Sequence, residues 1–123
     1  MTDTRSTRRL MVTGVLTAIL TGLATYGIFF VAPEDADQGI IQKIFYFHVS
    51  IALVGLVAFA VGAIYGIRYL RTRDARLDDI SSIAIGIGLA FSVLVVVTGS
   101  IWAKASWGTW WVWTDPRLVT FVI

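Results

Sequence analysis

The sequence contains three long runs of uncharged, mostly apolar residues, and these runs restrict the possible folds more than any other feature. They cover residues 10–32, 45–67 and 80–103. A helix rises about 1.5 Å per residue, so about 20 residues cross the roughly 30 Å hydrocarbon core of a bilayer. We therefore predict an all-α, polytopic transmembrane helix bundle with three spans, TM1 (10–32), TM2 (45–67) and TM3 (80–103).

The composition also indicates a membrane protein. Hydrophobic residues make up 57% of the 123 positions and charged residues 15%, against about 45–50% and about 25% in soluble domains. The chain has no cysteine, which excludes disulfides, thiolate metal sites and thiol redox chemistry within it. A net charge of +2 and the absence of a glycine-rich nucleotide motif argue against nucleic-acid binding and nucleotide hydrolysis.

The distribution of Lys and Arg predicts the orientation in the membrane. Three arginines precede TM1 and four follow TM2, whereas one lysine lies between TM1 and TM2 and two basic residues follow TM3. The positive-inside rule then places the N-terminus (1–9) and the basic loop (68–79) in the cytoplasm. The acidic loop (33–44) and a Trp-rich segment (104–117) are predicted on the outer face, and residues 118–123 are predicted to start a fourth, truncated span.

Small residues recur every fourth position in each predicted span, as at Gly14, Ala18 and Gly22 in TM1. TM2 and TM3 carry similar rows. Such rows let helix backbones approach closely. They are common in membrane helices, so we interpret them only as a sign of helix packing.

His48 is the single histidine, and it lies at the predicted outer end of TM2. An imidazole at this boundary could ligate a metal or a heme iron, hydrogen-bond a quinone, or bond to a neighbouring helix. A lone histidine is more often a structural hydrogen-bonding group than a ligand. His48 therefore does not decide the function without other features.

Tryptophans crowd the segment after TM3: Trp102 is followed by Trp107, Trp110, Trp111 and Trp113. If this stretch is helical, Trp107, Trp110 and Trp111 share one face. The simpler interpretation is an interfacial aromatic belt. A belt needs only one or two tryptophans at each helix end, however, and a dense indole surface suits a large flat ligand such as a porphyrin.

Asp115 and Arg117 lie shortly after the tryptophans. The planar guanidinium of arginine pairs bidentately with carboxylates, so Arg117 could bind a heme propionate. It could equally form a surface ion pair with Asp115.

Three functions remain open on these residues alone. The first is heme binding, with His48 on the iron, the indoles around the ring and Arg117 on a propionate. The second is a quinone-binding or heme-binding membrane anchor subunit of a redox complex. The third is a structural assembly subunit that binds no chromophore.

The segment from Trp107 to Leu118 resembles the Trp-rich "WWD" signature of heme-handling membrane proteins. One branch of these proteins is the heme exporter protein C (CcmC) family of cytochrome c maturation. Segments 32–33, 37–39, 43–44, 46–49 and 99–104 are also similar to that branch, and the resemblance covers about residues 10–123.

The resemblance implies a heme carrier rather than an enzyme, in a prokaryotic cytoplasmic (inner) membrane. Family members have six spans and hold heme on the outer face. His48 matches the first of two histidines that flank the WWD segment, and the implied heme-binding residues are Trp102, Trp107, Trp110, Trp111, Trp113, Asp115 and Arg117. The cargo would be heme b, bound non-covalently and transiently. The implied partners are a membrane-tethered heme chaperone, ABC transporter subunits, a small one-span subunit and membrane lipid.

The sequence departs from the family pattern at four points. Thr114 separates Trp113 from Asp115, where the family has Trp-Asp directly, and Val119 is an additional residue between Leu118 and Thr120. Ser50 stands where the family usually has proline. The second family histidine would lie beyond Ile123, so we expect a fragment or a half-length protein that needs a partner.

Overall fold

The structure, a computed structural model, describes residues 4–123. These residues contain four α-helices and two short helical turns. The elements are α1 (Thr4–Tyr26), a π-helical turn (Gly27–Val31), a 3₁₀ turn (Ile40–Gln42), α2 (Lys43–Thr72), α3 (Ala75–Trp107) and α4 (Pro116–Val122). Residues 1–3 of the predicted N-terminal segment lie outside the described residues.

The prediction of an all-α protein with three spans is confirmed. The three helical stretches Thr4–Val31, Ile40–Thr72 and Ala75–Trp107 are long and apolar enough to cross a membrane. Each extends beyond its apolar run into flanking polar residues, because a helix ends at its capping residues and not where the side chains become polar.

The chain divides into two compact units, one up to Glu34 and the other from Asp35 to Ile123. In the first unit, the hydroxyls of Thr13 and Thr17 donate to the carbonyls of Arg9 and Thr13 at 2.9 and 2.8 Å. Such bonds satisfy polar side chains within their own helix, as hydrocarbon requires. The helix ends before Pro33, since a residue that precedes proline avoids the helical region, and Ala32 is extended with ψ 127°.

A tight turn joins α2 to α3 in the second unit. Arg73 ends α2 in the left-handed conformation, with φ 57°. Asp74 then caps α3, because its carboxylate accepts a hydrogen bond from the Arg76 amide at 3.0 Å. The reversal is complete within two residues, so α2 and α3 run antiparallel and in contact along their length.

Small residues bring the backbones of α2 and α3 together. A Cβ at Gly62 would lie 2.8 Å from Cγ1 of Ile85, and a Cβ at Gly88 would lie 2.9 Å from the Phe59 ring. The buried Ser81 hydroxyl donates to the Gly62 carbonyl at 2.8 Å. The predicted rows of small residues in TM2 and TM3 therefore lie in a helix–helix contact, which holds the N-terminal end of α2 beside the C-terminal end of α3.

Candidate functional site

A cleft of about 280 Å³ opens where the start of α2 and the end of α3 meet the segment that follows α3. Its polar atoms are few, and its walls are mostly indole rings and apolar side chains. Of the eight residues predicted as a heme site, all except Trp113 line this cleft: His48, Trp102, Trp107, Trp110, Trp111, Asp115 and Arg117.

The tryptophan segment is not a continuation of α3. Gly108 ends the helix in the left-handed conformation with φ 78°, and its amide donates to the Lys104 carbonyl at 3.1 Å. The Lys104 ammonium donates in turn to the Gly108 carbonyl at 2.8 Å. The helical condition under which Trp107, Trp110 and Trp111 would share one face is therefore not met. Trp107 is the last residue of α3, whereas Trp110 and Trp111 line the cleft from the irregular segment that follows.

His48 is one of the polar residues that line the cleft. Its Nδ1 lies 2.9 Å from Oγ1 of Thr98 on α3, and this bond is part-buried. The ring fits against α3 because position 99 is glycine, where a Cβ would lie 3.0 Å from Cε1 of His48. The imidazole is thus held at one nitrogen, and Nε2 makes no hydrogen bond with any described residue.

Trp102 and Trp107 form one edge of the cleft. Their rings meet edge to face, with centroids 5.0 Å apart and planes at 76°, a favourable arrangement for aromatic pairs. The Trp102 indole N–H donates to Oε1 of Gln38 at 3.2 Å, which ties the 33–44 loop to α3. Gln38 is positioned by its own amide, which donates to Oδ1 of Asp35 at 2.9 Å. Amide donation from Gln38, followed by Asp37, holds the pKa of Asp35 below its usual range.

Trp111 lies inside the site and Trp113 outside it. Trp113 is 78% exposed, and its ring packs edge to face on Trp111 at 5.8 Å between centroids. The Nε1 of Trp111 is buried and has no hydrogen-bond partner among the described residues. A buried indole N–H normally has an acceptor, so the site lacks an acceptor that a bound molecule could supply.

Asp115 and Arg117 form a bidentate ion pair. Nη2 of Arg117 lies 2.6 Å from Oδ2 of Asp115, and Nε lies 3.0 Å from Oδ1. The side-chain hydrogen bonds from Arg117, followed by its backbone amide, lower the pKa of Asp115 to about 2. The ion pair with Asp115, one of the two roles that the sequence leaves open for Arg117, is present. The guanidinium has five N–H donors, and because 78% of the Arg117 side chain is exposed, it retains donors for a second carboxylate.

Comparison with known proteins assigns the family. The family model described as "CcmC: Heme exporter protein C" matches residues 2–123. The chain belongs to the heme exporter protein C family. No solved structure matches the chain.

Relatives in the heme exporter protein C family are moderately similar to this chain. A heme exporter protein C of Paracoccus denitrificans is 34% identical over 113 residues, which are 92% of this chain and 45% of that protein. One of Escherichia coli (strain K12) is 38% identical over 96 residues, 75% of this chain and 37% of that protein. A ccmC-like mitochondrial protein of cytochrome c biosynthesis from Marchantia polymorpha is 38% identical over 104 residues, 85% and 45% of the two chains.

The chain therefore spans less than half the length of these relatives. Their names connect the heme exporter protein C family to heme and to cytochrome c biosynthesis, that is, to handling of a cofactor. They give no support to the alternative of a quinone-binding anchor subunit.

Three residues of the site carry no role in the sequence interpretation: Thr98, Gly99 and Gln38. Thr98 is an ordinary polar residue in a span, so no local pattern identifies it. Gln38 lies in segment 37–39, which resembles the heme exporter protein C family, but the resemblance assigns it no function. Gly99 begins one of the segments that resemble the heme exporter protein C family, but the resemblance assigns it no function. Only the antiparallel contact of α2 with α3 brings Thr98 and Gly99 to His48.

Proposed function

We propose that this chain holds heme b, non-covalently and transiently, at the outer face of the cytoplasmic membrane and delivers it for cytochrome c maturation. The observation that carries the proposal is the cleft itself, in which one imidazole with a free nitrogen faces a wall of indoles. Heme iron already has four porphyrin nitrogens, so a single histidine is sufficient as a protein ligand.

The residues present fit a heme. His48 would bind the iron, and Trp102, Trp107, Trp110 and Trp111 would contact the ring. Heme also carries two carboxylates, which are acceptors of the kind that the Trp111 N–H lacks. Arg117 would meet a propionate with the donors that Asp115 leaves free. Trp113 would support Trp111 from outside.

The cleft that these residues form measures about 280 Å³, whereas pockets that enclose a drug-sized ligand measure about 300–1,000 Å³. These residues would therefore contact part of a porphyrin. We infer transfer of the heme to a second protein from the family, which is named for heme export. We infer that this second protein is a membrane-tethered heme chaperone, with ABC transporter subunits and a small one-span subunit in the same assembly. The proposed role is that of a carrier rather than an enzyme.

The direct test is heme binding by the purified chain in detergent, followed through its Soret absorption. His48→Ala is expected to weaken heme binding, and added imidazole is expected to restore an axial ligand. Equal heme binding by wild type and His48→Ala would remove His48 from the ligand role. Trp110→Ala and Trp113→Ala form a matched pair, because only Trp110 lines the cleft. A larger loss with Trp113→Ala would contradict the proposed site.

The proposed orientation has its own test. The chain has no native cysteine, so single cysteines at Asp37 and Asp74 report without background. A membrane-impermeant maleimide should label Asp37→Cys from outside in intact cells. It should label Asp74→Cys only after the membrane is opened. Labelling of Asp74→Cys in intact cells would place the loop outside and refute the orientation.

A further inference from the structure

The Thr98 hydroxyl has two short contacts and one longer one. Its Oγ1 lies 2.8 Å from the Leu94 carbonyl oxygen, one turn earlier in α3, and 2.9 Å from Nδ1 of His48. The Val95 carbonyl oxygen, a second acceptor for the same hydroxyl proton, lies 3.3 Å away. A hydroxyl has one proton to donate. A carbonyl oxygen can only accept, so the contact with Leu94 is a hydrogen bond only if the Thr98 proton is directed there.

This proton count determines the state of the imidazole. If the Thr98 hydroxyl donated to His48, two oxygens without a proton between them would face each other 2.8 Å apart. If His48 donates instead, both short contacts are hydrogen bonds. Nδ1 must then carry the proton of the neutral ring, and Nε2 must carry the lone pair.

We propose that Thr98 is a positioning residue that fixes His48 as the Nδ1–H tautomer and so presents Nε2 as the ligand nitrogen. The tautomer is a property of the chain without any ligand. Its use in holding iron rests on the proposed function. Histidine ligands commonly donate their second ring N–H to a fixed acceptor, which sets the tautomer and the ring orientation.

The acceptor is a neutral hydroxyl rather than a carboxylate. A carboxylate would draw the Nδ1 proton toward itself and make the imidazole a stronger iron ligand. The Thr98 hydroxyl donates its proton to the Leu94 carbonyl and accepts a hydrogen bond from His48, and it is uncharged throughout. The arrangement orients the ring without placing a charged group beside it, which suits a carrier that must release its cargo.

Nitrogen-15 NMR of the apoprotein tests the tautomer directly. His48 is the single histidine of the 123 residues. The 123-residue chain, expressed with ring-labelled histidine and purified without a histidine tag, therefore gives the signals of one imidazole. In the neutral ring, Nδ1 is expected as the protonated, pyrrole-type nitrogen and Nε2 as the pyridine-type nitrogen. The opposite assignment would overturn the inference, and this measurement requires no variant to fold.

Heme titration of three variants tests the consequence. Thr98→Val keeps the shape of the side chain and removes the acceptor, so heme affinity is expected to fall about 10- to 100-fold, as for other partners of metal-bound histidines. Thr98→Ser keeps the hydroxyl and should have the wild-type heme affinity and NMR spectrum. Thr17→Val is the matched control, because Thr17 makes the same bond to the carbonyl four residues earlier but has no histidine partner.

The outcomes separate this inference from the proposed function. Unchanged affinity and an unchanged tautomer in Thr98→Val would overturn the positioning role. If the Nδ1–H tautomer is present but His48→Ala binds heme as well as wild type does, the ligand role fails. In that case Thr98 orients a structural histidine, and its assignment as a positioning residue for iron is refuted.

Discussion

Replacement of Gly99 by alanine is expected to weaken heme binding by displacing the His48 ring. An added Cβ would lie 3.0 Å from Cε1 of His48 and 3.6 Å from Nδ1. Ordinary carbon–carbon contact starts near 3.4 Å, so the ring has to move by about 0.4 Å. The ring is also held by Thr98 at 2.9 Å, and the same movement could stretch that hydrogen bond to about 3.3 Å, beyond the usual N–H···O range.

The magnitude follows from the cost of overpacking. One additional methyl group in a close-packed site usually costs about 1–3 kcal/mol. If this cost appears in full as lost free energy of heme binding, the dissociation constant for heme rises about 5- to 150-fold. The strained hydrogen bond acts in the same direction, so the upper part of the range applies if Thr98 also loses its contact.

Quenching of tryptophan fluorescence on hemin titration in detergent micelles measures this constant. Gly86→Ala is the control in the same helix, because a Cβ at Gly86 has no atom within 4 Å. Circular dichroism should be unchanged in both variants. Equal heme affinity in Gly99→Ala and Gly86→Ala would refute the reasoning that His48 is pressed against α3 in its ligand position.

Three further predictions concern stability and pH. Gly62→Ala, whose Cβ would lie 2.8 Å from Ile85, should destabilise the α2–α3 contact by about 1–3 kcal/mol in detergent-induced unfolding. Ser81→Ala, which loses the 2.8 Å bond to the Gly62 carbonyl, should cost about 1 kcal/mol in the same assay. Gly62→Ala is expected to be the more destabilising of the two, and the reverse order would contradict this prediction. The Arg117 side chain lowers the pKa of Asp115 to about 2 from 3.8. The Asp115 carboxylate should therefore stabilise α4 fully above about pH 4, and this stabilisation should be lost as the pH falls toward 2. Carbon-13 NMR of the carboxylates measures that midpoint, and a value near 4 would contradict the pair.

The helices and the composition of the cleft could be predicted from the sequence because they depend on local properties. Three apolar runs predict three spans, and tryptophans that follow directly on a span remain near its end whatever the segment's conformation. The non-helical course of residues 108–115 could not be predicted with the same security, since it depends on Gly108 adopting φ 78°. Trp111 lines the cleft and Trp113 does not, because neighbouring side chains of an irregular segment can point to different sides.

The partners of His48 depend on the register of the helix pair. Gly62 and Ile85 lie equally far along the chain from the Arg73–Asp74 turn, and so do His48 and Gly99. A two-residue turn between straight helices thus determines which residues face each other. The sequence shows the turn only as a mixed run of arginines and aspartates, without its exact position. Thr98 and Gly99 could not be matched to His48 until the turn was located.

The irregular backbone of residues 108–115 also restricts how deep the indole cleft can lie. Peptide groups outside a helix need hydrogen bonds that acyl chains do not offer, so lipid-exposed backbone of this kind is found where water or lipid headgroups reach it. The Lys104 ammonium, bonded to the Gly108 carbonyl at 2.8 Å, marks the same boundary. A porphyrin bound there, as proposed, would have one rim in the hydrated zone, where a protein at the membrane surface could reach it without entering the hydrocarbon core.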